Sequence, residues 1–401
     1  MRTVIPLLVA GLAAAGPVQA QTATPVTLAE ALDLAVARSP LAAAAAARVD
    51  AAREHAALAG RLPNPAVELR SENWAFSGSS VPEDFFAVVT APIELGGERG
   101  ARRGAAAAGL QAADAATGVA VRQVRLDVTT RFFDAVRAAA RADALAEAEQ
   151  GLAELVRVAD RRVAEGLLAE AGLRRLEAER ARVAADRVRA EADRLMAAVQ
   201  LAVRLGLPAV APTPPATPPP PLPSPAGAAE RADVRLARAQ VEGARQALRF
   251  QQALGVPDLA VSGGYKRTAG YNTGVVAVTM AVPVFGRNGA AIATARGDVR
   301  ASELELDQAT LAATSEAAAA AEAARALAAG ADGIAQALVT PASQARDAAR
   351  SAFLAGAADL VALVDAERSH TDARLTADGL RFDAWQAAVA ARLAAGEDPL
   401  P

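Results

Sequence analysis

Two very long stretches, from about Glu98 to Glu165 and again from about Arg287 to Leu354, are rich in alanine and hold few helix breakers. Read as helix at 1.5 Å per residue, each is on the order of 100 Å long. A compact soluble domain has no use for that length. Each stretch ends at a glycine, Gly166 or Gly356, and a new helical pattern begins within a few residues, which predicts a hairpin tip near 166 and another near 356. Apolar residues recur at heptad spacing: Leu145 with Leu152, Val156 with Val163, Val188 with Leu195, Leu327 with Ile334, and Leu375 with Phe382 and Val389. That spacing predicts antiparallel coiled-coil hairpins, and the intervening alanines let the backbones approach closely.

The order of features is written twice, on either side of a proline-rich stretch. Gly255-Val256-Pro257-Asp258-Leu259-Ala260-Val261 echoes Arg61-Leu62-Pro63-Asn64-Pro65-Ala66-Val67, and Val282-Pro283-Val284-Phe285-Gly286-Arg287-Asn288 echoes Ala91-Pro92-Ile93-Glu94-Leu95-Gly96-Gly97. Leu354-Ala355-Gly356-Ala357 and Ala366-Glu367-Arg368 repeat Ala164-Glu165-Gly166-Leu167 and Ala178-Glu179-Arg180. An internal duplication follows. Its expected parts are a leader over residues 1–20, a first repeat over 21–206, a linker over 207–227 and a second repeat over 228–401. Thr27-Leu28-Ala29-Glu30 has the form of a capping box and opens a helix expected to run to about Gly60.

Between the opening helix and the long hairpin, each repeat carries two segments of period-two alternation, expected as strands over 64–76 and 84–95 in the first and over 257–267 and 274–285 in the second. The links, Ser77 to Ser80 and Thr268 to Gly274, are expected as loops. Apolar residues alternate with charged ones, the pattern of a strand with lipid on one side and water on the other. Val67, Leu69, Val89, Ile93, Val261, Val278 and Val282 are therefore expected to face lipid, and Glu68, Arg70, Glu72, Glu94 and Lys266 a water-filled lumen. The aromatic content is only 3 %, yet Trp74, Phe76, Phe85, Phe86, Tyr265, Tyr271 and Phe285 cluster around these strands, as interfacial girdles do.

Arg2, the apolar run Val4 to Ala15 and Val18-Gln19-Ala20 make a secretory signal, with cleavage expected after Ala20. That run falls short of the roughly 20 residues of a spanning helix. With no cysteine in the chain, neither a disulfide framework nor a lipoprotein anchor is expected. The net charge of −3, with both signs interspersed, gives no basic footprint for nucleic acid.

The segments Thr27 to Pro40, Leu62 to Pro65, Ala91 onward, Pro341 with the helical run after it, and above all FLAGAADLVALVDAER from Phe353 to Arg368 resemble the TolC-type outer-membrane factor family over essentially the whole mature length. The resemblance implies a mainly α fold with a β-barrel portion. Each subunit of a homotrimer gives four strands to one twelve-stranded outer-membrane β-barrel, continued by a periplasmic α-barrel. Four strands cannot close a barrel alone, and open strand edges are not tolerated in lipid, so oligomerisation is required on physical grounds as well. The implied partners are a periplasmic adaptor, an inner-membrane pump of the RND type, and outer-membrane lipid. Gly166, Leu167, Leu168, Gly356, Ala357 and Ala358 are the expected adaptor-docking tips. In the family the second tip carries acidic and basic latch residues, and here only Asp365 falls on an acidic position of that pattern.

No catalytic constellation is present. His55 and His370 are the only histidines, and both lie in charged helical runs where a solvated position is expected. Asp365, His370 and Asp372 do not share a helical face. Neither an enzyme, a cofactor nor a tight metal site is expected. LPNP, the acidic strand after it and PIELGGERGARR look most like the CzcC-like branch, which serves pumps exporting divalent metal cations. A heavy-metal exit duct is the expectation. A drug or type I secretion channel is the alternative, and a poreless coiled-coil adaptor or scaffold is a weaker one.

Overall fold

The computed structural model describes residues 23–73, 83–216, 218–357 and 359–400. The leader, Trp74, Phe76 and the tip residue Ala358 lie outside the described residues. Strand β1 (Thr24–Val26) leads into α1 (Leu28–Arg38) and α2 (Pro40–Leu58). The capping box is formed: the Thr27 amide donates to Glu30 Oε2 at 2.8 Å, and the Glu30 amide to Thr27 Oγ1 at 3.4 Å. The single opening helix expected from the sequence is two. Ser39 is extended, its hydroxyl accepts from the Ala42 amide at 3.3 Å, and Pro40 sits at the first helical position. Proline is tolerated there but disfavours helix in the residue before it, so the break falls at Ser39.

The chain continues through β2 (Ala66–Glu72), β3 (Asp84–Ile93), α3 (Glu98–Ala164), α4 (Glu170–Leu205), β4 (Val210–Pro212), a 3-10 turn at Pro225–Glu230, α5 (Ala232–Ala253), β5 (Leu259–Thr268), β6 (Tyr271–Met280), α6 (Gly289–Ala355) and α7 (Leu360–Ala394). Length dictates the layout. Helices α3 and α6 each have 67 residues, whereas α4 has 36 and α7 has 35. The returning helices cover only the tip half, and α2 and α5 pack along the sheet half.

Where the returning helices end, Phe132, Phe133, Leu201, Leu205, Phe382, Trp385 and Val389 form a core with Leu28 and Leu32 of α1. Strand β1 pairs in parallel with β4, so the expected linker is fastened to the start of the chain by Val26 and Val210 in the same core. A second core near the tips joins Leu145, Leu152, Leu155, Leu173, Leu176, Phe353 and Leu363. The heptad reading fails in part. Val188 and Leu195 are 62 % and 57 % exposed and Ile334 is 49 % exposed, because these residues point away from the neighbouring helices within the chain. Pro341 lies inside α6 rather than ahead of a helix.

The four-stranded sheet is antiparallel throughout, in the order β2-β3-β5-β6, and the central pairing of β3 with β5 joins the two halves of the chain. The strands are shorter than expected at the ends away from their hairpin turns. Ile93 ends β3 before the turn at Gly96-Gly97, and Pro283, which has no amide to donate, follows the end of β6. The expected Thr268–Gly274 loop is instead a two-residue turn at Ala269 and Gly270, with φ of 48° and 86°. Positive φ at both central residues matches the twist of an antiparallel hairpin, so β6 begins at Tyr271. Glycine is required at Gly264, where an added methyl would lie 2.2 Å from the Ala87 carbonyl oxygen of the neighbouring strand.

Candidate functional site: a two-faced sheet and two linked hairpin tips

The register sorts the sheet residues by face. Val67 lies opposite Val89, Leu69 opposite Ala87, Ala91 opposite Val261, and Val261 opposite Val278, with Ile93 on the same face. Val67, Leu69 and Val278 stand 69 %, 70 % and 64 % exposed, so this apolar face has no cover within the chain. Val282 lies beyond the end of β6 and outside the ladder, which corrects its place among the strand residues. Its relative Val276, opposite Gly263, takes the face instead.

The other face carries Glu68, Arg70, Glu72 and Lys266. Arg70 bridges Glu72 at 3.1 Å and Glu68 at 3.7 Å. Its guanidinium stands 4.5 Å from the centroid of the Phe86 ring, and Lys266 Nζ stands 5.1 Å from the same centroid. Phe86 is therefore a platform for two cations on the charged face. Alternation around Phe85 and Phe86 was the available signal, since neighbours in a strand point to opposite faces. Thr90 and Ser262 bond across this face at 2.9 Å. Glu94 is a correction: it follows the last β3 residue, its side chain is 10 % exposed, and both carboxylate oxygens bond Arg102 at the start of α3. It ties the sheet to the helical layer.

At the tips, Gly166 and Gly356 have φ of 75° and 79°. The amides beyond them close each helix end, Leu167 onto the Arg162 carbonyl and Ala357 onto the Ala352 carbonyl, both at 2.8 Å. Leu167 is 72 % exposed and Ala357 is exposed, whereas Leu168 packs against the tip core. The two tips are joined by a residue that sequence reasoning missed. Arg162 of α3 donates to the Phe353 and Leu354 carbonyls of α6 at 2.6 and 2.5 Å and lies over the Phe353 ring. A lone arginine in an arginine-rich helix gave no signal.

Further from the tips, α4 is linked to α7. Arg368 Nε donates to Glu179 Oε1 at 2.8 Å, and Arg182 adds a second guanidinium. The Arg368 hydrogen bond, helped by Arg182, holds the Glu179 carboxyl down to about 2. Asp365 is exposed one turn before Arg368 and adds to the negative field on that guanidinium.

His370 overturns its expected solvated position. It is 8 % exposed, and Nδ1 has no partner. It lines a cavity of about 210 Å³ between α3, α6 and α7 with Glu147, Glu154, Arg346, Arg350, Glu367 and Arg374. Burial first, then Arg346 and Arg374, push its pKa down. Burial pushes that of Glu367 up. His55, by contrast, is exposed. Among the described residues no three His, Cys, Asp or Glu side chains converge on a metal geometry, and no helix is long and apolar enough to cross a membrane.

A laterally open sheet with one bare apolar face, mounted on two long helical hairpins, defines the TolC-type outer-membrane channel fold. The chain superposes on the outer membrane protein VceC from Vibrio cholerae with a TM-score of 0.76, at 20 % identity over 92 % of this chain and 96 % of that one. On the Campylobacter jejuni CmeC outer membrane channel it does so with a TM-score of 0.78, at 16 % identity over 93 % and 86 %. The family model for the outer membrane efflux protein matches residues 31–207 and 226–397, and the chain belongs to that family. It is 28 % identical over 394 residues, 92 % of this chain and 89 % of the relative, to the cobalt-zinc-cadmium resistance protein CzcC of Cupriavidus metallidurans. The family is one of efflux channels of the outer membrane and not a family of enzymes.

Proposed function

We propose that three copies of this chain join their sheets into one closed outer-membrane barrel, and that the assembly is the passive exit duct of a tripartite efflux system for divalent heavy-metal cations. The observation that carries the duct is the sheet itself: every ladder pair keeps Val67, Leu69, Val89, Ile93, Val261 and Val278 on one face and Glu68, Arg70, Glu72 and Lys266 on the other. The first set faces lipid and the second faces the lumen. A charge on lipid at mid-depth costs about 2–4 kcal/mol, and three joined sheets leave no edge for lipid to meet. The likeness to a cobalt-zinc-cadmium resistance protein supports the cargo. A duct needs no tight cargo site, so the acidic residues Glu68 and Glu72 serve as a cation-friendly lining, with selectivity set by the inner-membrane pump. The exposed tip residues Leu167 and Ala357, with the glycines beside them, support docking to the hairpins of a periplasmic adaptor.

Deleting the gene in its host tests the cargo. Survival on zinc, cobalt and cadmium should fall by an order of magnitude or more, and tolerance of lipophilic antibiotics should stay unchanged. Sensitivity to antibiotics alone, with unaltered metal content, overturns the metal reading and leaves the duct intact.

A further inference from the structure

The apolar face of the sheet ends on a charge. The register puts Leu259, Val261, Gly263, Tyr265 and Arg267 of β5 on that face, and among the described residues Arg267 is the only charged side chain that the ladder places there. It stands eight residues along β5 from Leu259, roughly 26 Å at about 3.3 Å per residue. At a strand tilt of about 35–45° that is roughly 20 Å of depth, so with Val282 below the ladder Arg267 falls at the rim of an apolar band about 25 Å tall. The rim is the one at the hairpin turns, away from the helices.

Nothing within the chain neutralises this guanidinium. Arg267 is exposed and has no acceptor or ion pair among the described residues. The acids at this end of the sheet are engaged elsewhere: Glu72 by Arg70 at 3.1 Å, Glu83 by the Ser71 hydroxyl at 2.6 Å and Asp84 by the Ala269 amide at 3.0 Å. The segment 74–82 contains no Asp or Glu. A second donor stands beside the first. Asn272 of β6 is the cross-strand partner of Arg267, and its Oδ1 accepts from the Tyr265 hydroxyl at 2.6 Å, which leaves the amide NH2 free to donate. Phe85 of β3 flanks Arg267 on the other side, and Tyr265 lies one row below, 39 % and 41 % exposed. Strand β5 is an inner strand of the order β2-β3-β5-β6, so association through the edges β2 and β6 leaves this place uncovered.

We propose that Arg267 and Asn272 bind a phosphate of the outer-leaflet glycolipid, a phosphorylated and acylated sugar of the lipid A type. The site rests on the reading of the sheet as a barrel wall with its helices in the periplasm, which turns the hairpin end toward the cell exterior. A charge facing lipid is costly at mid-depth and much less so near the interface, where headgroup phosphates lie. Arginine suits a phosphate because its planar fork gives two parallel charge-assisted bonds. Phe85 and Tyr265 supply apolar surface beneath it for the first carbons of the acyl chains. An arginine that bends its head into water without binding lipid is the rival.

The test uses the full-length protein, assembled and purified from outer membranes and stripped of lipid by detergent exchange. It is titrated with lipid A, with lipid A lacking its phosphates and with phosphatidylglycerol, and bound lipid is counted by native mass spectrometry. Lipid A should bind at about one molecule per chain and about tenfold more tightly than either of the others, as a charge-assisted pair allows. Arg267→Ala should weaken lipid A binding about tenfold and Arg267→Lys should restore part of it. Lys266→Ala should change nothing, because Lys266 lies over Phe86 on the charged face. Equal binding of lipid A with and without its phosphates by the native protein overturns the site in favour of the rival, whatever the variants do. Equal binding of phosphatidylglycerol overturns the assignment to the glycolipid. Loss on Lys266→Ala with none on Arg267→Ala reverses the two faces and takes the barrel reading down with the site. Loss in neither variant, from a protein that stays assembled in detergent, removes the site and leaves the barrel reading standing.

Discussion

At the scale of single residues, burial sets the acid–base behaviour of the hairpins. His370 faces Arg346 and Asp347 of α6, Glu147 of α3, and Glu367 and Arg374 of α7. Its pKa is lowered in the folded chain from the ordinary 6.5. Its contribution to stability is therefore present above that value and is lost as pH falls through the folded value. Glu367, whose pKa is raised from 4.5, runs the other way: its contribution is present below 4.5 and is lost as pH rises through the folded value. Thermal unfolding of His370→Asn should lose the destabilisation that the native protein shows below pH 6.5, and Glu367→Gln should lose the opposing slope. An unchanged pH profile in both variants would contradict the burial argument. Glu179 carries a larger effect, since its value falls from 4.5 to about 2 and its stabilisation disappears only on acidification through that window. Glu179→Ala removes the carboxylate that Arg368 and Arg182 share, leaving Arg182 only its bond to Asp186, and loss of a hydrogen bond to a charged group costs about 1.5–3 kcal/mol. Equilibrium unfolding at neutral pH measures it. These roles were illegible in the sequence: charge runs such as Glu367-Arg368-Ser369-His370 look solvated until packing decides which members face inward.

At the scale of elements, the sequence was most informative where chemistry is local. The capping box at Thr27, the glycines at both tips and the strand alternation each follow from nearest-neighbour rules, and the structure places all three in those conformations. It was least informative where two readings were locally equal. Serine before proline both ends α1 and starts α2, and Ala269-Gly270 makes a tight hairpin out of residues that read as part of a loop. Contacts between elements were not legible at all. Arg162 is the case that matters, because it binds the last carbonyls of α6 from α3. Arg162→Ala should free that helix end, and hydrogen exchange at residues 353–357 should quicken at least tenfold while the sheet is unaffected. Gly264→Val places a side chain into the Ala87 carbonyl and should cost about 1–3 kcal/mol by overpacking. Reduced heat resistance of the assembled protein on a denaturing gel reports it.

At the scale of the whole molecule, what the chain leaves open is as informative as what it buries. Strands β2 and β6 each have one free edge, and the sheet's apolar face is bare. Helix α4 presents Val188, Leu195, Val199 and Val203 to the outside, each at least 57 % exposed, while α6 presents Leu304 and Leu311 at 55 % and 68 %. The heptad pattern on α4 was therefore legible as apolar periodicity but not as an intrachain seam, because periodicity marks a face without naming what covers it. A single chain with so much uncovered apolar surface and two open edges is an incomplete object in lipid. If each copy completes the next, β6 of one chain pairs with β2 of another, and cysteines on facing edge residues should bridge copies. With the native chain free of cysteine, Leu69→Cys can be combined in turn with Val276→Cys or Val278→Cys, which share its face of the sheet. At least one combination should give, on a non-reducing gel of outer membranes, a ladder that stops at three chains and collapses on reduction. Either single variant should stay at one chain. A ladder that runs past three would replace closure by an open array, and a purified protein of single-chain mass with no cross-link in either combination would contradict barrel formation by association.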